Sequence, residues 1–328
     1  MTQIKLTNLQ KQLCQILQQG LPICQRPYAQ IARSISISED QAVTTTAELL
    51  KKGLIKQIRP FINHRTLGLE STLVTASIKP EILNQAADTI NRLNGVSHNY
   101  LRNHNFNLWF TLQAPSQTEI VEILTRLQTQ FETTFHSLPV KTPFKLNVRF
   151  PVAPGLAPDK IPDNNHTPIT EIQILTDYEK NLINNIQTPL EPIPQPFDFL
   201  KEKGFNLEIA LPALQTLTEK GVIKRIAAVL DYRKLGFRAN VMFVCQTPPP
   251  LTRNAGKYLA ALDSVSHCYE RKTFENFPYN LYAMMHRQNF ADIQHDIEQF
   301  TAETGIIDYL LLETVKELKK SPVIHELT

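Results

Sequence analysis

The chain has no excess of either charge: 34 basic residues stand against 31 acidic ones, a formal net charge of +3 over 328 residues. So even a balance gives little general attraction toward a polyanion, and DNA affinity built on phosphate neutralisation is not expected. Nor does the chain contain a Cys-x-x-Cys pair. Cys14, Cys24, Cys245 and Cys268 lie scattered, which excludes a zinc ribbon or a disulfide framework and suits a reducing cytosol. No apolar run approaches bilayer length, and the opening MTQIKLTNLQKQLCQIL lacks the apolar core and cleavage site of a secretory signal, so a cytoplasmic location without membrane contact is expected. A glycine-rich phosphate loop, a His-Glu-x-x-His pair and a nucleophile elbow are all missing. Their absence sets aside the nucleotide, zinc-protease and serine-hydrolase chemistries that those motifs serve.

What the sequence does contain is itself, twice. With 42% hydrophobic residues it can fill at least two cores. Leu50-Lys-Lys-Gly-Leu-Ile-Lys-Gln-Ile-Arg59 with Arg65-Thr-Leu-Gly68 recurs as Thr218-Glu-Lys-Gly-Val-Ile-Lys-Arg-Ile226 with Arg233-Lys-Leu-Gly236. Gly53 and Gly221 are separated by the same 168 positions as Gly68 and Gly236. A second pair follows at nearly that offset: Gly95-Val-Ser-His-Asn-Tyr-Leu-Arg102 before Asn107-Leu-Trp-Phe110, and Ser264-Val-Ser-His-Cys-Tyr-Glu-Arg271 before Asn280-Leu-Tyr-Ala283. A repeat of this length governs the whole fold.

Within the first copy the pattern predicts helices at 5–19 and 26–35. A third begins after Ser38, which with Gln41 forms a capping box, and stops at Gly53. A wing follows over 54–62. Next come strand 69–78, helix 81–93, strands 96–102 and 106–113, helix 117–131 and a last strand at 145–150, in the ferredoxin-like order β-α-β-β-α-β. The second copy repeats this with helices near 177–187, 196–203 and 207–220, a wing to 231, strands and helices through Leu312, and a terminal helix from Thr314 to Lys320.

The fold class is therefore α+β, a tandem duplication of winged helix-turn-helix plus ferredoxin-like domain, an order that resembles the Lrp/AsnC-type architecture. The expected domains are a first winged helix-turn-helix at 1–66, a first ferredoxin-like domain at 67–152 and a proline-rich linker at 153–170. A second winged helix-turn-helix at 171–234 and a second ferredoxin-like domain at 235–328 complete the chain. The halves are expected to pair through their sheets, with further homodimerisation left open.

A DNA-reading helix needs cations where bases and phosphates approach. The helix after Ser38 instead opens with Glu39 and Asp40, and its counterpart from Asn206 to Lys220 has one basic residue, at its far end. The fold is thus read as a scaffold, with function sought in a site.

The residues with chemical potential are on the hairpins. Alternation places His98, Tyr100 and Arg102 on one strand face, and His267, Tyr269 and Arg271 on the other copy's. The plain reading of one such row is a half-exposed strand with satisfied polar groups; its recurrence favours a functional one. His104 adds a titratable group in the first turn. Arg59, His64 and Arg65 near the first wing and Arg233 near the second supply further cations, with plain surface exposure the alternative reading. His286 faces either a pocket or water, while Met284 and Met285 read as core.

The strings Gly95-Val-Ser-His-Asn-Tyr-Leu-Arg-Asn-His-Asn-Phe-Asn-Leu-Trp-Phe110 and Val265-Ser-His-Cys-Tyr-Glu-Arg271 with Phe277-Pro-Tyr-Asn-Leu-Tyr-Ala-Met284 resemble the signatures of siroheme decarboxylases, here in a fused two-subunit form. That resemblance implies an enzyme, a carboxy-lyase that turns two acetate side chains of siroheme into methyl groups. The product, didecarboxysiroheme, then serves haem or haem d1 formation. It implies His98, His104 and His267 near the tetrapyrrole, with His64 a weaker carry-over because its counterpart is Tyr232. By chemistry, an imidazole supplies the proton that follows carbon dioxide loss, with Tyr100 or Tyr269 as relay, and Arg59, His64, Arg65, Arg102, Arg233 and Arg271 hold the carboxylate fringe. No separate metal or cofactor is expected, because the iron belongs to the siroheme; whether a histidine ligates it or donates a proton stays open. The competing readings are a haem- or tetrapyrrole-responsive Lrp-type regulator and a noncatalytic pigment carrier.

Overall fold

The computed structural model describes residues 4–146, 152 and 171–327. By contacts the chain sorts into two compact units that cut across the sequence repeat: Met1–Gly68 with Arg149–Gly236 and Ile324–Thr328, and Leu69–Val148 with Phe237–Val323.

The first unit holds both helix-turn-helix segments. Helix α1 (Asn8–Gln19) is opened by a capping box in which Thr7 and Gln10 satisfy each other's backbone donors, and α3 (Glu39–Lys51) repeats the device with Ser38 and Gln41. Between them α2 (Pro27–Ser34) begins with its proline at the first position, where no donor is needed. Gly53, at φ +65°, ends this set in a left-handed turn that a β-carbon would strain. In the second copy α6 (Asp177–Ile186), the four-residue α7 (Phe199–Glu202) and α8 (Leu207–Glu219) take the same roles. The wings are not free ribbons. Strand β1 (Ile55–Ile62) pairs antiparallel with β6 (Ile223–Leu230), Phe61 opposite Arg225 and Arg59 opposite Ala227.

In the second unit, β2 (Glu70–Ala76), α4 (Leu83–Asn91), β3 (Val96–Arg102), β4 (Leu108–Ala114), α5 (Gln117–Phe131) and β5 (Phe135–Leu146) form the first ferredoxin-like domain. β7 (Ala239–Cys245), α9 (Pro249–Ala261), β8 (Val265–Arg271), β9 (Leu281–Arg287), α10 (Phe290–Thr304) and β10 (Tyr309–Lys320) form the second. Their strands close into one barrel in the order β10-β3-β4-β2-β5-β8-β9-β7. Closure depends on two long strands that change partner midway. β5 pairs with β2 up to Pro139 and then with β8 from Val140; β10 pairs with β7 through Glu313 and then with β3 from Thr314. Each domain thereby lends its last strand to the other, and no sheet edge is left open between them.

Both long strands correct the sequence reading. The expected strand at 145–150 is instead β5, which starts at Phe135; residues 147–150 lie outside those described, as does the expected linker at 153–170. Pro139 and Pro143 lie where β5 changes partner, Pro139 opposite Thr72 with its carbonyl accepting the Lys272 N–H at 3.2 Å, and Pro143 opposite Tyr269. The expected terminal helix 314–320 is the second half of β10. Its sequence, ETVKELKK, suits a helix, and seven residues of pairing with β3 override that local preference. Elsewhere the differences are shifts of a few residues at element ends.

Strand alternation divides the second unit's apolar residues into three cores. Leu108, Phe110 and Leu112 pack with α4 and α5, and Phe243, Leu281 and Met285 with α9 and α10. Trp109, Leu138, Met242, Val244, Phe277, Tyr282 and Leu312 take the opposite, inward face. Each such large side chain removed from water contributes roughly 1.5–3 kcal/mol. Among the described residues no helix is long and apolar enough to cross a membrane.

Candidate functional site

The two histidine rows lie on that inward face. Tyr100 is opposite Trp109 and His98 opposite Thr111; on the other side Tyr269 is opposite Tyr282 and His267 opposite Met284. Asn99 and Cys268, the intervening residues, turn to the helix layers, where Asn99 donates to Asn91 of α4 at 3.0 Å. The expected sharing of a face thus holds in both copies. The His98 and Tyr100 rings are 6.1 Å apart at 27°, and those of His267 and Tyr269 are 6.2 Å apart at 30°.

Each row ends in a guanidinium beside its tyrosine, Arg102 at 5.4 Å from the Tyr100 ring centre and Arg271 at 4.9 Å from that of Tyr269. Both arginines also bind across the seam where the copies join. Arg102 donates to the Leu312 carbonyl at 2.7 Å, and Arg271 to the Leu138 carbonyl at 2.7 Å. Arg102 is buried and Arg271 half-buried. A serine stands behind each histidine, Ser97 Oγ at 2.8 Å from His98 Nδ1 and Ser266 Oγ at 2.9 Å from His267 Nδ1.

His104 belongs to an aromatic cluster. Its Nδ1 accepts the Phe106 N–H at 3.0 Å, which leaves the proton of the neutral ring on Nε2, and burial lowers its pKa. Its ring meets Phe277 edge-on at 5.7 Å. His136, which the sequence reading missed, belongs to the same cluster: it stacks on Phe274 at 3.7 Å and 5°, meets Phe106 edge-on at 5.5 Å, and is likewise lowered by burial. Its only signal was alternation in a strand assigned ten residues too late.

In the first unit Arg59 lies within β1 and His64 and Arg65 just beyond its end, with Lys224 and Arg225 on the paired β6. The Arg59 and Arg225 guanidiniums are each 4.8 Å from the centre of the Phe61 ring. Burial lowers Arg59 and Lys224, and for Lys224 the neighbouring Arg65 and Arg225 add to it. His64 is pushed down to about 3 by burial first, then by Lys224, Arg65 and His325; its Nε2 is buried without a hydrogen-bond partner. Among the described residues no carboxylate forms an ion pair with Arg59, Arg65 or Lys224. Such a cluster of partly desolvated cations suits an anionic ligand. Lys224 and Arg225 were not singled out from the sequence, although they sit in its repeat. Arg233 is exposed, its guanidinium 5.7 Å from the Tyr232 ring.

The helix-turn-helix surfaces carry little for DNA. Glu39 at the start of α3 is ion-paired with Arg26, and α8 buries Leu207, Ala210, Leu211, Leu214 and Leu217.

Comparison with known proteins agrees with this reading. The model of an AsnC-like ligand-binding domain matches residues 66–145 and 234–319, and that of the siroheme decarboxylase NirDL-like HTH domain matches 10–55. A siroheme decarboxylase of Hydrogenobacter thermophilus is 32% identical over 94% of this chain and 92% of its own. A siroheme decarboxylase beta subunit of Methanosarcina barkeri is 32% identical, with 43% of this chain covering 94% of that one. The crystal structure of siroheme decarboxylase NirDL in complex with an iron-uroporphyrin III analogue superposes with a TM-score of 0.74 at 29% identity, over 98% of this chain and 95% of that one.

Proposed function

Because the chain belongs to the siroheme decarboxylase family, we propose that it is a carboxy-lyase that removes carbon dioxide from two acetate side chains of siroheme. The observation that carries this reading in the chain itself is the doubled His-Tyr-Arg row on the inward face of a single barrel. One row per copy matches one lyase subunit type per half and two carboxyl groups per substrate.

In each step the bond between the acetate methylene and its carboxylate breaks, carbon dioxide departs, and the electron pair stays on the methylene carbon, where the conjugated macrocycle shares it. A proton must then reach that carbon to give the methyl group. His98 and His267 are the donors we assign, since an imidazole exchanges protons near neutral pH. Tyr100 and Tyr269, stacked beside them, fix the ring orientation and offer a phenol to the same region. Arg102 and Arg271 end the rows as cations that favour a carboxylate nearby. In the other unit Arg59, Arg65 and Arg233 are cations suited in their own right to carboxylates, and the neutral His64 can offer an N–H. His104, within its aromatic cluster, offers a flat apolar surface with one N–H to a planar ligand. The iron is part of the substrate, and the proton transfers assigned here draw on the chain's own side chains alone. A cytoplasmic location fits the free thiols of Cys14, Cys24, Cys245 and Cys268.

The test is anaerobic incubation of the full chain with siroheme, followed by mass analysis of the pigment. Successive losses of two carbon dioxide units are expected. His98→Gln and His267→Gln, made separately, should each slow one loss by about 10²–10⁴-fold, the usual contribution of a positioned general acid. The assignment is overturned if neither substitution slows either loss.

A further inference from the structure

The two rows match residue for residue, but what stands behind their histidines differs. In the first copy the hydroxyl of Ser97 lies 2.8 Å from His98 Nδ1 and 2.8 Å from Thr111 Oγ1. In the second, the hydroxyl of Ser266 lies 2.9 Å from His267 Nδ1 and 3.0 Å from His286 Nε2. Register explains the change. The backbone N–H of Gln113 bonds the Gly95 carbonyl at 2.9 Å, and that of His286 bonds the Ser264 carbonyl at 2.7 Å, so His286 occupies the place of Gln113.

His286 is buried on the inward side of β9, opposite Asn240 of β7, with α9 and α10 packed on the other side of the sheet. Burial, with a smaller effect from Lys320 of β10, holds it down at about 4, so it is a neutral imidazole at physiological pH. If the proton sits on Nδ1, the neutral ring presents a lone pair at Nε2, which competes with the Met284 carbonyl, 3.4 Å away, for the Ser266 hydroxyl proton. The chain of bonds can then run from His267 Nδ1–H to Ser266 Oγ, and from the Ser266 hydroxyl to His286 Nε2. In that direction it stabilises a doubly protonated His267 and leaves its Nε2–H as the proton to be given away. Among the described residues Ser97 hands on to the Thr111 hydroxyl, a weaker acceptor than an imidazole nitrogen.

We propose that Ser266 and His286 are positioning residues for His267, an acceptor pair that fixes its tautomer and supports its charge, where the first copy sets the hydroxyls of Ser97 and Thr111 behind His98. The inference rests on His267 as proton donor, and it makes the two halves chemically unequal. When His267 protonates the substrate carbon from Nε2, it is left neutral with its proton on Nδ1, still bonded to Ser266. Solvent then restores the lost proton.

Two measurements on the full chain test it. Nitrogen NMR of the labelled histidines, with no substrate present, reads the tautomer and titration of His267. Ser266→Ala and His286→Leu should move its midpoint to lower pH by about one unit, a tenfold change in protonation equilibrium, whereas Ser266→Thr should keep it and Thr111→Val should leave it unmoved. With siroheme, the first two variants should slow one carbon dioxide loss about tenfold, a fraction of the usual general-acid contribution, so that the singly decarboxylated pigment accumulates and the pH profile of that step shifts downward. If the His267 titration and tautomer are the same in Ser266→Ala as in the parent, or if both losses slow equally, the inference is overturned. If no variant, nor the parent, releases carbon dioxide, the lyase reading fails instead, and the NMR result still decides the pairing. Should His286→Leu not fold, the Ala and Thr substitutions at Ser266 carry the test alone.

Discussion

Arg102 and Leu312 belong to different copies of the repeat, and the guanidinium of the first bonds the backbone oxygen of the second at 2.7 Å. The bond crosses near the point where β10 leaves β7 for β3, and Arg271 to Leu138 repeats it where β5 leaves β2 for β8. A buried charge survives only when its donors are used. Arg102 also reaches Thr314 Oγ1 at 3.3 Å and Met284 Sδ at 3.9 Å. Arg102→Met keeps much of the volume and loses these charge-assisted bonds, so unfolding in urea should show a loss of about 1.5–3 kcal/mol. An unchanged midpoint would mean that the arginine does not hold the seam.

Gly95, the first residue of the repeated string, has a steric reason to be glycine. A β-carbon there would run into the backbone carbonyl of Gln113, the residue whose N–H bonds Gly95. Backbone cannot yield as a flexible side chain does, and overpacking of this kind costs about 1–3 kcal/mol. Gly95→Ala should therefore lower the melting temperature and disturb the strand that carries His98. Ser264 holds the same place in the second copy, so Ser264→Ala should be mild by the same thermal melt.

Much of this was legible in the sequence, for stated reasons. The capping boxes at Ser38 and Gln41, the glycine stop at Gly53 and the alternation through His98, Tyr100 and Arg102 are local signals that tertiary structure had only to keep. β5 and β10 were misplaced because their strand character comes from partners more than a hundred residues away, His267 with Leu146 and Arg102 with Thr314. The same long-range pairing hid His136. Lys224 and Arg225 escaped notice because their place beside Arg59 and Phe61 comes from the pairing of β1 with β6, which links residues more than 150 positions apart. His286 was visible as a residue, and only the register with Gly95 and Gln113 of the other copy gives it a role.

Buried histidines should make the fold acid-sensitive. The folded-state pKa of His64 is about 3 and that of His286 about 4, both below the ordinary 6.5. Above pH 6.5 neither the folded nor the unfolded form binds these protons, and the groups do not affect stability. As pH falls below 6.5 the unfolded chain takes up protons that the folded chain refuses, so stability drops by up to about 1.4 kcal/mol per pH unit for each histidine until the folded pKa is reached. Urea midpoints measured from pH 7 to 4.5 should fall steadily, and His64→Gln should reduce the slope. An equal slope in that variant would show that His64 is not the refusing group.

Despite its helix-turn-helix segments the protein should not bind duplex DNA. A winged helix needs a cationic recognition helix and a wing free to reach the backbone. Here α3 opens with Glu39 and Asp40, α8 carries no lysine or arginine, and β1 and β6 pair with each other along seven registered positions. With no surplus charge behind them, these surfaces have little counterion release to draw on. Electrophoresis with random duplex at low salt should show no retardation at micromolar protein. A shifted band that weakens as salt rises would count for the regulator reading instead, and would require cations outside the helices named here to be found at the DNA.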